Sequence, residues 1–169
     1  MKNTQSVLPD KFENLSPELT RFIESMGMYF ESYGIPRIGG RILGLLLVAH
    51  EPLSAEQIAA ILKVSRASVS TNFRLLLTSS LAEKVTFPGD RTTYFVFPET
   101  GLEKTLVVEI QGVTAMKKLA QQGMDALSSE DSAYNHMQQM ADWADLLIDL
   151  YQKALNEWRE RQQEQPSAN

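Results

Sequence analysis

Ten consecutive residues, 65 to 74, carry Ser65, Arg66, Ser68, Ser70, Thr71 and Arg74. Wound into a helix of about 3.6 residues per turn, this stretch places Ala67, Thr71, Arg74 and Thr78 on one face, flanked by Ser68 and Ser70. Val69, Phe73, Leu76 and Leu77 fall on the opposite face, as a core side does. Hydroxyls and guanidinium groups without a carboxylate among them suit non-covalent recognition of a polyanion. Hydroxyls donate to phosphate oxygens and base edges, and Arg pairs with guanine in a major groove. The alternative is an ordinary solvated face, which would usually include Glu or Asp. A second group follows at Lys84, Arg91, Thr92 and Thr93, around Pro88-Gly89-Asp90.

Catalytic chemistry lacks its parts. The chain has no Cys and two His far apart, and neither Gly-x-Ser-x-Gly nor His-Glu-x-x-His occurs. Gly34 to Gly39 has the glycine spacing of a phosphate loop, but Gly40 and Arg41 stand where Lys and Ser or Thr are needed. Asp142, Asp145 and Asp149 line one helical strip, which reads as solvated rather than as a metal site. We expect no enzyme activity, no metal and no cofactor.

The elements that must hold the reactive groups lie in residues 53–97. Ser54 with Gln57 three positions on is a capping box, opening a helix that carries Ile58, Ala59, Ile61 and Leu62. Lys63-Val64 is a turn and Ser65 a fresh N-cap, so two capped helices sit a short turn apart, as in a helix-turn-helix. The second is expected over residues 66–80. Residues 81–87 and 92–97 are β-rich and joined through Gly89, which supplies a permissive turn. A hairpin results, with Arg91 at its tip, where an adjacent minor groove would attract it.

Ahead of this core, Ser16 and Pro17 open a helix to about residue 33 with Leu19, Phe22, Ile23, Met26, Tyr29, Phe30 and Tyr33 at spacings of three and four. A buried, glycine-containing helix is expected over residues 38–50. Arg37 and Arg41 sit at its positive end, where they would hold a DNA phosphate or simply remain solvated. Beyond Pro98, two apolar stripes separated by Ser128-Ser129-Glu130-Asp131 predict a long helical hairpin, its second helix of about 30 residues reaching roughly 45 Å. Charge follows the same division. Residues 37–97 hold seven basic against four acidic side chains, net +3, whereas residues 98–169 hold six against twelve, net −6, in a chain of net charge −5. Phosphate contacts need local positive charge, so the distribution outweighs the total.

The pieces GGRILGLLL, AEQIA, VSRASVSTNFRLL and PGDRTTYF, in this order and spacing, resemble the GbsR branch of the MarR-type winged-helix transcriptional regulators. The polar Thr78-Ser79-Ser80 departs from the usual end of a recognition helix. The resemblance implies a homodimer on a two-fold operator of double-stranded DNA, joined through terminal helices. It also implies residues 65–74 as recognition and Arg91 as wing.

The expected fold is mainly α with a small β-hairpin: a winged helix-turn-helix (residues 36–98) between an N-terminal dimerisation helix (16–35) and a C-terminal helical hairpin (99–160), with a frayed tail (161–169). Function would be that of a DNA-binding transcriptional regulator, a repressor; the alternative is a winged-helix module that binds protein. The helical arms also offer aromatic residues for an effector. Tyr29, Tyr33, Tyr134 and Trp143, with Tyr151 and Trp158, would form a cation–π box for a quaternary ammonium ligand, a choice prompted by the family's link to glycine betaine and choline; core or dimer packing is the plainer account. The polar first fifteen residues and the absence of a long apolar run lead us to expect a cytoplasmic protein.

Overall fold

In the computed structural model, which describes residues 15–164, each expected cap is formed. Ser16 Oγ accepts from Leu19 N at 3.3 Å and starts α1 (Pro17–Ser32). After α2 (Arg37–Val48) and a short strand β1 (Leu53–Ser54), Ser54 and Gln57 make both halves of the capping box, at 2.8 and 3.2 Å, and start α3 (Ala55–Leu62). Ser65 Oγ accepts from Ser68 N at 3.1 Å and starts α4 (Arg66–Thr78). Then come β2 (Glu83–Val85), β3 (Tyr94–Val96), α5 (Gly101–Asp125) and α6 (Ser132–Glu164).

The described residues divide into two compact units, 15–101 and 102–164. In the first, Ile42 and Leu45 of α2, Leu53 of β1, Ile58 of α3 and Val69 of α4 are fully buried, and Ile23 of α1 joins the same core. The two helices α1 and α2 cross closely because of Gly40: a Cβ there would lie 2.5 Å from the Met26 carbonyl oxygen. Phe73 stacks on Phe95 with ring centroids 3.6 Å apart, which fixes α4 to the sheet.

The expected hairpin forms between β2 and β3, and the sheet holds one strand more. It has three antiparallel strands in the order β1-β3-β2, with Leu53 opposite Phe95 and Lys84 on the other side of Phe95. Its strands are shorter than residues 81–87 and 92–97. Helix α2 starts one residue earlier and stops at Val48 rather than His50. Helix α4 stops at Thr78, two residues before the expected end: Thr78 and Ser79 turn their hydroxyls back onto the Arg74 and Leu75 carbonyls, and Ser80 adopts a left-handed φ of 58°. The polar run at 78–80 is therefore the helix's own terminator.

The second unit is the pair α5 and α6. Ala120, Ala141, Ala144 and Leu155 are its buried residues, Lys117 pairs with Asp145 at 2.6 Å, and Arg159 pairs with Glu103 at 2.7 Å. At 33 residues, α6 is about 50 Å long, slightly beyond expectation. Asp131 Oδ1 accepts from Ala133 N, which marks the start of α6. Among the described residues no helix is long and apolar enough to cross a membrane, and no group of His, Cys, Asp or Glu is placed to hold a metal. The tail expected from residue 161 is still helical as far as Glu164; its remainder lies outside the described residues.

Candidate nucleic-acid interface

Helix α4 has two faces of opposite character. Val69, Asn72, Phe73 and Leu76 are buried, while Arg66, Ala67, Ser70, Thr71, Arg74 and Thr78 are exposed, with no carboxylate among them. Ser65 and Ser68 are committed to each other at the cap, Ser65 Oγ donating to Ser68 Oγ at 3.1 Å. Their hydroxyls thus shape the start of α4 before they can contact anything else. Arg66 approaches Glu56 only to 4.0 Å, both well exposed, so the pairing is weak.

Asn72 is a residue the sequence reading passed over. It is buried, its Nδ2 donates to the Ser68 carbonyl at 2.8 Å, and its Oδ1 has no hydrogen-bond partner and faces Gly39 of α2. An uncharged polar side chain inside an apolar helix face was the available signal.

Arg74, Ser70 and Lys84 come together. They line a recess of about 250 Å³ with Ala55, Phe73, Leu77 and Phe95, where the exposed side of α4 meets the sheet. The stacked Phe73 and Phe95 form its floor, so two cations and a hydroxyl are held over a rigid base. An anionic oxygen placed there would meet positive charge from both the helix and the strand β2.

The turn between β2 and β3 is built around Asp90. Gly89 takes φ +81°, Asp90 N donates to the Phe87 carbonyl at 3.1 Å, and the carboxylate accepts from Thr92 N on one oxygen and from the Tyr94 hydroxyl on the other, each at 2.8 Å. The Thr92 backbone amide, with the hydroxyls of Thr92 and Tyr94, holds the Asp90 carboxyl below the usual carboxylate range; the same Asp90 bond pushes the Tyr94 phenol up. Phe87 packs edge-on against Tyr94 at 5.4 Å. Arg91 is exposed at this ordered tip with Thr92 and Thr93. Asp90 and Tyr94 were not among the expected site residues, although an Asp after Gly in a turn is an Asx-turn signal.

Arg37 and Arg41 are placed otherwise than as a free phosphate clamp. Arg37 Nη2 lies 3.0 Å from Glu24 Oε2, and Arg41 Nε lies 2.8 Å from Glu24 Oε1 while its Nη2 donates to the Leu62 carbonyl at 2.9 Å. A carboxylate from α1 already occupies the position envisaged for the phosphate. Arg41 is withdrawn from the surface; Arg37 stays half exposed.

The aromatic box is not assembled within either unit. Tyr29 and Tyr33 of α1 sit 5.0 Å apart, both exposed, and their mutual hydrogen bond raises the Tyr29 phenol. Tyr134 and Trp143 are nine residues apart on α6, about two and a half turns, so they project from opposite sides of that helix. Trp143 instead joins Leu146 and Leu150 in an exposed apolar stripe, at 55%, 65% and 57% exposure. In the acidic strip, Asp142 accepts from Gln138 and Asp145 pairs with Lys117.

No protein-family model matches the chain. Over 132 residues it is 34% identical to the HTH-type transcriptional regulator MmpR5 of Mycobacterium tuberculosis, a match spanning 78% of this chain and 79% of that protein. A transcriptional regulator of known crystal structure superposes with a TM-score of 0.78 at 31% identity, over 85% of this chain and 99% of that one. A MarR/EmrR family transcriptional regulator from Acinetobacter aligns over 83% of this chain and 88% of that one, at 22% identity and a TM-score of 0.39.

Proposed function

This chain belongs to the HTH-type transcriptional regulators, and on that premise we propose that it is of the MarR type and represses transcription as a homodimer on a two-fold operator of double-stranded DNA. In this reading α4 enters the major groove. Ser70, Thr71 and Arg74 reach base edges, Arg66, Lys84, Thr92 and Thr93 contact phosphates, and Arg91 enters the flanking minor groove. Ser65 and Ser68 hold the helix start against the backbone. Arg37 adds a phosphate contact when its pairing with Glu24 loosens, whereas Arg41 is left to its protein partners.

The observation that carries the reading is the recess shared by Ser70, Arg74 and Lys84 beside a carboxylate-free helix face. Homodimerisation is supported by the exposed stripe of Trp143, Leu146 and Leu150 on a helix of about 50 Å. A place in the GbsR branch rests on the motif resemblance, and a cytoplasmic location on the DNA partner. The aromatic residues Tyr29, Tyr33, Tyr134 and Trp143 would serve an effector only where two subunits bring them together.

Sequencing of genomic fragments retained by the protein, followed by binding titrations across salt concentrations, tests this. A dimer neutralising about 6 to 10 phosphates gives a slope of log affinity against log salt of about −5 to −9. Absence of any retained fragment at low salt overturns the reading.

A further inference from the structure

We propose that Glu24 and Arg41 are a positioning pair through which α1 fixes the turn ahead of the reading helix, and so the fit of α4 to its operator. The proposal rests on α4 being the helix that reads DNA. One guanidinium joins three helices. Arg41 projects from α2, lies 2.8 Å from the Glu24 carboxylate of α1, and donates at 2.9 Å to the carbonyl of Leu62, the last residue of α3. Helix ends leave such carbonyls without partners, and here a charged donor supplies one. Lys63 follows directly in a left-handed conformation, φ 54°, and Ser65 caps α4, so the held carbonyl stands three residues before that cap.

Two further features argue that the pair is built in. Gly27 leaves room for it: a Cβ there would lie 2.7 Å from Arg41 Cγ and 3.0 Å from Arg37 Cγ, so both arginine stems pass α1 only because that residue has no side chain. The Arg41 side chain is also only 19% exposed, whereas Glu18 and Arg21, paired within α1 itself, are each 71% exposed. The guanidinium donates to the Leu62 carbonyl while its buried Nε, which has no hydrogen-bond partner, is held beside the Glu24 carboxylate by charge, and a planar group fixes these two positions in a way that a single ammonium group does not. A displacement of α1 would therefore be passed to the Leu62 carbonyl and to the turn. The second oxygen of Glu24 engages Arg37 at 3.0 Å, so neutralising Glu24 also releases an exposed cation.

That coupling predicts a split that loss of fold would not produce. The full chain is titrated against a duplex carrying its operator and against an unrelated duplex of equal length. Glu24→Gln should weaken operator binding about tenfold, while binding to the unrelated duplex is unchanged or tighter because Arg37 is freed. Glu18→Gln should alter neither. Equal weakening on both duplexes, or no weakening on the operator, overturns the proposal. Arg74→Ala, run in parallel, separates it from its premise: if Arg74→Ala leaves operator binding intact, the reading of α4 has failed instead. Should Glu24→Gln not fold, Arg41→Lys keeps the charge but lacks the fork. Its amide exchange at Val64 to Ser68 should quicken while that of α2 is unchanged, and unchanged exchange at the turn overturns the proposal.

Discussion

Residues 15–101 and residues 102–164 bury different kinds of side chain. The first unit encloses branched and aromatic residues from all four of its helices and from its sheet, and turns a polar, carboxylate-free face outward on α4. The second buries three alanines and one leucine, and leaves Trp143, Leu146 and Leu150 outside. One unit can supply its stability from its own contacts; the other has the composition of half an interface, since large apolar side chains on a helix are stabilising only when something covers them. The contrast fits the proposed division of labour, with recognition on a self-sufficient scaffold and assembly on a thin one.

The largest effects should test the self-sufficient scaffold. Phe73→Ala removes the ring stacked on Phe95 and should cost about 3 to 5 kcal/mol in denaturant unfolding, whereas Leu155→Ala, in the thinner unit, should fall at or below the low end of that range. If the two costs are equal, the contrast between the units does not hold.

Next comes assembly. Glu at both Leu146 and Leu150 should shift sedimentation from dimer to monomer and weaken operator binding about a hundredfold or more, with little change in the unfolding of residues 15–101. Retention of the dimer would place the partner surface elsewhere. Arg74→Ala should lose about 1 to 3 kcal/mol on the operator and less on bulk DNA. Arg91→Ala should reduce the salt slope by about 1.

The smallest effect concerns pH. Because the Asp90 carboxyl is held below its ordinary value by Thr92 and Tyr94, its contribution to the turn is fully present above the unfolded-state pKa and is lost only as pH falls through the lower folded value. Wing order, followed by the Tyr94 ring resonances, should thus stay constant through the neutral range and fade only in strong acid. In Asp90→Asn that acid transition should disappear.

Local signals were legible in the chain and tertiary ones were not. Ser16-Pro17, the Ser54–Gln57 box and the Ser65 cap act over three residues, so the starts of α1, α3 and α4 could be read directly. Strand β1 is two residues long and pairs with a strand some forty positions away, too short for any period to show. The capture of Arg41 by Glu24 and Leu62 depends on a helix crossing that glycines permit, and nothing in the spacing of these residues announces it. Helical spacing alone argued against seating Tyr134 and Trp143 in one box. Of the proposed DNA-reading residues, the exposed face of α4 was visible in its periodicity, but the convergence of Lys84 with Ser70 and Arg74 required the sheet register.

The separation of the two faces of α4 has a consequence for how such a protein can change over generations. Ser70, Thr71 and Arg74 are exposed, and the core contacts of α4 are made by Val69, Phe73 and Leu76. Substitutions on the outer face are therefore nearly free of folding cost. A duplicated copy of this gene can drift toward a new target sequence while its scaffold remains under unchanged selection.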